Sequence, residues 1–487
     1  MKLSQLLSQD MYLPPEWDRE FNHLVSDSRD VNKGDLFIAR SGTAGHGEKF
    51  IEDAIAGGAA AVLAEGEQGF RCAENGVPVF YLPQLRQQLP VWLNRRYCAA
   101  GDVRLIGVTG TNGKSSVTQY CAQLLELKGI QCGVIGTLGN GLWPHLQPTR
   151  NTTPDICLTY RLLNEVAQAG ADIAAIEVSS HGLDQGRVEG LKFSVSVLTN
   201  ISQDHLDYHG DMATYVAAKS RLFDPELSNI AVINTDDEYG EKLLQSALTG
   251  SKISTGSSPA AQVQYSSVEF TGLGMKANVR SPWGESELNL ALMGEFNIAN
   301  VTSALAALSA LGYEFSSLAE SAGKLRPVDG RMELYLAEGQ PAVVIDFAHT
   351  PDALVNVVGA LKNSGAYLSV VFGCGGERDR KKRPLMADAV ATADAVWVTD
   401  DNPRGENSDQ IFADIRQSAA SAHYKFEHDR AVAIRSAIAA TPTTGLVLIA
   451  GKGHETYQEI AGIRHSYSDA QTVYSLGYRR AGGDYAA

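Results

Sequence analysis

Along the 487 residues, short apolar runs alternate with stretches whose apolar positions recur at helical spacing, a pattern that predicts strands interleaved with helices. The runs fall into three blocks. The first has short strands at 35–39, 60–63 and 77–82 and a helix near 50–56. The second has runs at 103–108, 132–135, 173–178, 195–198 and 230–233, as expected of a parallel sheet with helices on both faces. RPVDGRME (326–333) reads as a linker, after which strands at 343–347, 368–372, 395–398 and 446–450 interleave with helices at 352–361 and 430–440. The fold class expected is therefore α/β in three domains, 1–98, 99–327 and 328–487, each of ordinary size. No internal repeat is visible, and 249–265 reads as a loop.

One junction in the second block changes the picture from fold to chemistry. GVTGTNGKSS (107–116) joins the first predicted strand to a helix at 115–127. The N–H groups of Gly110, Thr111, Asn112 and Gly113 can converge on anionic oxygens, and a helix start adds partial positive charge. Lys114 can reach the β- and γ-phosphates, and the hydroxyl of Ser115 or Ser116 can ligate Mg²⁺. The strict phosphate-loop pattern wants glycine where this chain has Val108, so the match is to a variant, GTNGK[ST]. A glycine-rich turn that only closes a strand–helix unit is the alternative.

Composition narrows the partners. A net charge of −15 repels polyanions at long range, which argues against nucleic-acid or acidic-membrane binding. Cys72, Cys98, Cys121, Cys132, Cys157 and Cys374 are scattered without a CxxC pair, so neither a disulfide framework nor a zinc site is expected. The charged, proline-bearing N-terminus is unlike a signal peptide and no long apolar run occurs, which points to a cytoplasmic protein.

In open α/β sheets ligands bind beyond the carboxyl ends of strands. There the chain places EVSSHGLDQGRVEG, in which Glu177 could hold Mg²⁺ or simply be solvated, and Ser179, Gln185 and Arg187 suit an anionic ligand. The next such loop, TNISQDHLDYHGD, offers Asn200, Asp204, His205, Asp207 and His209. His205 reads as a metal ligand, or else as a helix cap or structural residue.

With these loops in view the chain resembles the Mur ligase family, ATP-dependent enzymes that add amino acids to the peptidoglycan precursor. The resemblance runs nearly end to end: GTNGKSS (110–116), NTTP (151–154), EVSSHGL (177–183), NISQDHLDYHGD (200–211), YVAAKS (215–220), GEFNIAN (294–300), DGRME (329–333), DFAHTPDAL (346–354), GCGGERDRKKRP (373–384), DDNPRGE (400–406) and GKGHE (451–455). It implies a small uridine-binding domain, a central P-loop ATPase domain and a C-terminal Rossmann-like domain. It also implies that ATP phosphorylates an acceptor carboxylate and that an amine then displaces phosphate. By the same resemblance, Glu177 and the Ser115 hydroxyl hold one Mg²⁺, and His205 and a carbamylated Lys219 serve a second. From its residues alone Lys219 reads as a surface lysine on a helix. Asn297, Asn300, Arg331, Asp346 and His349 are implied at ATP, so that the site is complete only when the last domain closes on the central one.

The loop DDNPRGE resembles that of the family members that add meso-diaminopimelate. An arginine fork suits the extra carboxylate of that amino acid, so Arg404, aimed by Pro403, and Arg378 are the candidate grips. The resemblance adds Asp401, Asn402, Gly451 and Glu455, the last facing the distal ammonium. UDP-MurNAc-L-Ala-D-Glu would place uridine at Ser26, Ser28 and Thr43. Its diphosphate and peptide would lie at Asn151, Thr152, Thr153, Ser179, Gln185 and Arg187. The GTAGHG turn departs from relatives by having His46 before Gly47. A monomer using only small-molecule substrates is expected. A lysine-adding relative, a folylpolyglutamate synthase and a non-enzymatic nucleotide switch remain as alternatives at this point.

Overall fold

A computed structural model describes residues 1–7, 13–41, 45, 47–246, 250–271 and 274–481. Thr43 and His46 lie outside the described residues. Three main sheets follow one another along the chain. The first has five strands in the order Leu24–Val25, Leu36–Ala39, Ala61–Glu65, Pro78–Leu82 and Gly69–Cys72, the last antiparallel at an edge.

The second sheet has ten strands. Its parallel centre places Arg104–Thr109 between Phe193–Leu198 and Ile173–Glu177, with Gly133–Gly136 and Ser228–Asn234 outside them. Both edges are antiparallel, which the expected all-parallel sheet lacked. The stretch expected as a loop at 249–265 contains Ser251–Gly256 and the start of Val263–Thr271. The latter pairs with Gly274–Ser281, and that with Gly284–Leu290, as an antiparallel wing. Its strands alternate buried and exposed side chains, for example Met275, Ala277 and Val279 inward, the signature of a sheet covered on one face only. The third sheet has seven strands: Ala342–Asp346, Leu446–Ala450, Leu368–Phe372, Ala395–Val398 and Lys425–Phe426 are parallel, and Glu333–Leu336 pairs antiparallel with Ala342–Asp346 on one side and with Arg479–Arg480 on the other.

The cores divide unevenly. Helix Leu85–Arg96, at the end of the first block, packs Leu89, Trp92 and Leu93 into the same apolar cluster as Cys157, Tyr160 and Leu163 of helix Ile156–Gln168. The first two sheets thus share a continuous interior. The third has its own clusters on its two faces, and it meets the second through Met293 and Phe296, packed against one of them, and through polar side chains. Among the described residues no helix is long and apolar enough to cross a membrane.

Candidate active site

The expected strand–loop–helix is present: strand Arg104–Thr109 runs through the glycines into helix Lys114–Glu126. Two glycines are required by space as well as by backbone. A Cβ on Gly110 (φ 149°) would sit 1.9 Å from Thr199 Oγ1, and one on Gly113 (φ 84°) 2.6 Å from Asn300 Oδ1. The N–H of Thr111 and that of Asn112 donate to the backbone and side-chain oxygens of Asn200 (2.7 and 3.0 Å), so they are not turned to a ligand as the sequence suggested. The anion-facing donors are those of the first helical turn, which have no partner within a helix. Lys114 folds back, its Nζ donating to Gly110 O and Thr111 O (2.9 and 2.8 Å), and burial lowers its pKa.

Glu177 ends strand Ile173–Glu177, only 2% exposed, so the solvated reading fails. Its carboxylate accepts from Ser115 Oγ (3.0 Å) and from the N–H and hydroxyl of Thr137 (2.9 and 3.1 Å). Ser116 lines the same cavity. Lys219, on helix Met212–Ser220, is 2% exposed and donates to Gly110 O at 2.7 Å, which overturns the surface-lysine reading. Burial, then Lys114, hold its pKa well below the usual lysine value.

His205 occupies the N-cap position of helix Leu206–His209 with φ 54° but makes no side-chain cap bond, so it is not a helix cap. Its Nε2 lies 3.3 Å from Asp204 Oδ2, and burial pushes its pKa down to about 3. The other polar residues of that loop diverge: Asn200 braces the phosphate loop, and His209 Nε2 meets Ser180 Oγ (3.0 Å). Among the described residues no group of three or more His, Cys, Asp or Glu side chains is arranged to hold a metal ion by itself.

The third sheet supplies the opposite wall. Asp346 ends its strand with both oxygens accepting, from Met332 N–H and Ala348 N–H (2.8 and 2.7 Å), and burial raises its pKa. His349 Nδ1–H donates to Phe347 O (2.7 Å), and its Nε2 is 3.9 Å from Asp204. Arg331 Nη2 reaches Ser115 Oγ at 3.4 Å. Between the walls lies a cavity of about 860 Å³ that takes in Lys114, Glu177, His205, Lys219, Asn300, Arg331, Asp346 and His349. Asn297 does not line it: its Oδ1 accepts from Tyr120 OH and its Nδ2 donates to Met293 O, so of the two asparagines one turn apart only Asn300 faces in.

Towards the first sheet, Thr152 and Ser179 line the cavity and Thr153 Oγ1 donates to Glu177 O. Arg187 Nη1 donates to Thr153 O (2.6 Å) and its Nε and Nη2 to Gln185 Oε1, while Asn151 is exposed. Ser26 Oγ donates to Asp155 Oδ1 (2.6 Å), bridging the two sheets, and Ser28 opens the turn beside it.

At the same carboxyl edge of the third sheet, after strand Ala395–Val398, Arg404 has φ 53°. Its N–H donates to Glu459 O, its carbonyl accepts from Ala461 N–H, and Nη1 donates to Gly376 O (2.7 Å). The bridge to 459–461, and not Pro403 alone, sets its direction. A Cβ on Gly375 would meet Arg404 Nη1 at 3.0 Å and Arg378 Cγ at 3.7 Å, so the two arginines flank one glycine. Gly451 (φ 113°) leaves room for Asp401 Oδ2. Lys452, which the sequence did not single out, is fully buried and donates to Asn402 Oδ1, Glu455 Oε2 and Tyr457 O (3.0, 3.1 and 2.9 Å). Glu455 is thus already paired with a cation inside the chain.

Three family models match in order: "Mur ligase family, catalytic domain" over 20–97, "Mur ligase middle domain" over 108–308 and "Mur ligase, glutamate ligase domain" over 330–453. A UDP-N-acetylmuramoyl-L-alanyl-D-glutamate–2,6-diaminopimelate ligase of Alkalilimnicola ehrlichii is 42% identical, with 97% of this chain and 98% of that protein aligned. The chain belongs to the Mur ligase family. The ligase of the same description from Pseudomonas aeruginosa is 44% identical over 97% of each chain. A solved Mur ligase structure, again a 2,6-diaminopimelate ligase, superimposes with TM-score 0.68 at 36% identity, covering 98% of both chains.

Proposed function

We propose that this Mur ligase is an ATP-dependent, ADP-forming ligase that joins meso-diaminopimelate to the D-Glu γ-carboxylate of UDP-MurNAc-L-Ala-D-Glu, a cytoplasmic step in peptidoglycan precursor synthesis. The observation that carries the reading is Arg331 crossing from the third sheet to Ser115 of the phosphate loop, so that two sheets wall one cavity. Identity of 42–44% along the whole chain, the first sheet included, favours a muramoyl substrate over folate. The modules are 1–98, binding UDP, 99–327, binding ATP, and 328–487, binding the amino acid. The reading takes the protein as a monomer.

In this reading Gly110 to Ser116 cradle the triphosphate, with Lys114 leaving its loop carbonyls for the β- and γ-phosphates and Arg331 on the transferring group. Asn300, Asp346 and His349 hold the nucleotide. The γ-carboxylate attacks phosphorus and ADP departs. The amine then attacks the acyl carbon and phosphate leaves. Ser115 and Glu177 form an oxygen pair of the kind that would hold Mg²⁺. Lys219 would fit a second site only as a carbamate, formed when its unprotonated amine adds CO₂ and releases a proton, which beside His205 would offer anionic oxygen. Mg²⁺ bound there would neutralise charge developing on the phosphoryl group. Thr152, Thr153, Ser179, Gln185 and Arg187 position the dipeptide, and Ser26 and Ser28 the uridine. Arg404 and Arg378 grip the distal carboxylate of diaminopimelate, with Asp401, Asn402, Gly451 and Glu455 around it.

The test is ADP release. It should require UDP-MurNAc-L-Ala-D-Glu and meso-diaminopimelate together, with L-lysine a poor replacement. Equal turnover with lysine would remove the amine assignment, and release driven by folate and glutamate would move the chain to another branch.

A further inference from the structure

We propose that Phe347 is a positioning residue that holds the Arg331 guanidinium over the phosphate loop through its aromatic face, without neutralising it. The inference rests on the reading of Arg331 as the arginine that meets the transferring phosphoryl group. Among the described residues Arg331 makes no ion pair; its carbon Cζ lies 4.4 Å from the Phe347 ring centroid, and its only other polar anchor is the long bond to Ser115 Oγ. Asp346 and Glu177 act on the guanidinium through space without pairing with it, and both Asp346 oxygens accept from backbone N–H groups. A carboxylate partner would fix the arginine and also cancel the charge that a phosphoryl group needs. The negative face of a ring attracts the guanidinium and leaves its donors free.

The ring is itself held in place. A Cβ on Gly453 (φ 51°) would lie 2.8 Å from Phe347 Cβ, and one on Gly330 (φ 68°) 2.2 Å from His454 N. The turn bearing Arg331, the turn bearing His454 and Phe347 therefore interlock with no room for side chains between them. His349 packs edge-on against Phe347 at 4.7 Å, and His454 lies at 5.3 Å on a tilted plane. Burial and Arg331 push the His454 pKa down to about 4, so this second ring is neutral and does not compete as a cation.

The experiment is a double-mutant cycle with ADP release as readout. Phe347→Leu should lower kcat about tenfold while KM for diaminopimelate stays within twofold, and Phe347→Tyr should restore kcat. In the Arg331→Ala background Phe347→Leu should cost nothing further. Ring-fluorinated phenylalanine at 347 keeps the shape and removes the negative face, so it should lower kcat as leucine does; it serves as well where the leucine variant fails to fold. An equal loss from Phe347→Leu with and without Arg331, or full activity of the fluorinated protein, would overturn the proposal. An Arg331→Ala variant with intact kcat would instead overturn the functional reading of Arg331 on which it stands.

Discussion

Single residues here are set by what they are bonded to more than by what they are. Arg404 adopts φ 53°, a conformation that costs a non-glycine residue about 1 kcal/mol or more, and the bridge to Glu459 and Ala461 holds it there. Such strain is kept where direction matters. Arg404→Ala should raise KM for diaminopimelate about 30-fold, the worth of a charge-assisted contact, with KM for ATP within twofold. Steady-state kinetics with each substrate varied in turn checks this. The arginine was legible from DNPR and its strained backbone was not, because the pairing that imposes it comes from residues more than fifty positions later. Lys219 is the sharper case. Composition puts a lysine outside, and only its contact with Gly110 O, 109 positions away in sequence, brings it in.

Elements were read from period and punctuation, and the helices and central strands of the second and third blocks lie where those signals put them, Leu368–Phe372 and Arg430–Ala440 among them. The antiparallel wing was missed because its polar, alternating strands carry few apolar residues and are covered on one face only. Caps link elements to the site. Asp155 accepts from the N–H groups of Cys157 and Leu158 at the start of helix Ile156–Gln168 and from Ser26 Oγ. Asp155→Ala removes cap and bridge together and should cost about 1–2 kcal/mol of stability, seen as a lower denaturant midpoint. An unchanged midpoint would show that neither bond contributes.

For the whole molecule, the shared apolar interior makes the first two sheets one body, and the third is joined to it by Met293 and Phe296 and by a set of polar bridges. Lys382 Nζ meets Asp204 at 3.5 Å, Gln203 Nε2 meets Asp379 at 3.2 Å, and Asn112 Nδ2 meets Asp352 at 3.2 Å. Polar bridges part and re-form at less cost than a packed core, so this is where closure belongs. Lys382→Ala leaves Asp204 buried without its nearest cation and should change kcat and KM together, each about tenfold, because closure assembles the site. Small-angle scattering should show a larger radius of gyration for the variant in the presence of substrates. The same dimensions and kinetics as the parent would remove Lys382 from closure. Nothing in the run Arg380 to Arg383 told the sequence reader which of four cations crosses the cleft.

The sequence by itself determined the order of strands and helices, the phosphate-binding junction and the family, since period, glycine spacing and motif order are local or collinear properties. Tertiary structure alone decided which side chains share a cavity. Burial of Lys219, withdrawal of Asn297 and the seat of Arg331 on Phe347 all follow from contacts between separate elements. Those contacts depend on distances that no local pattern encodes.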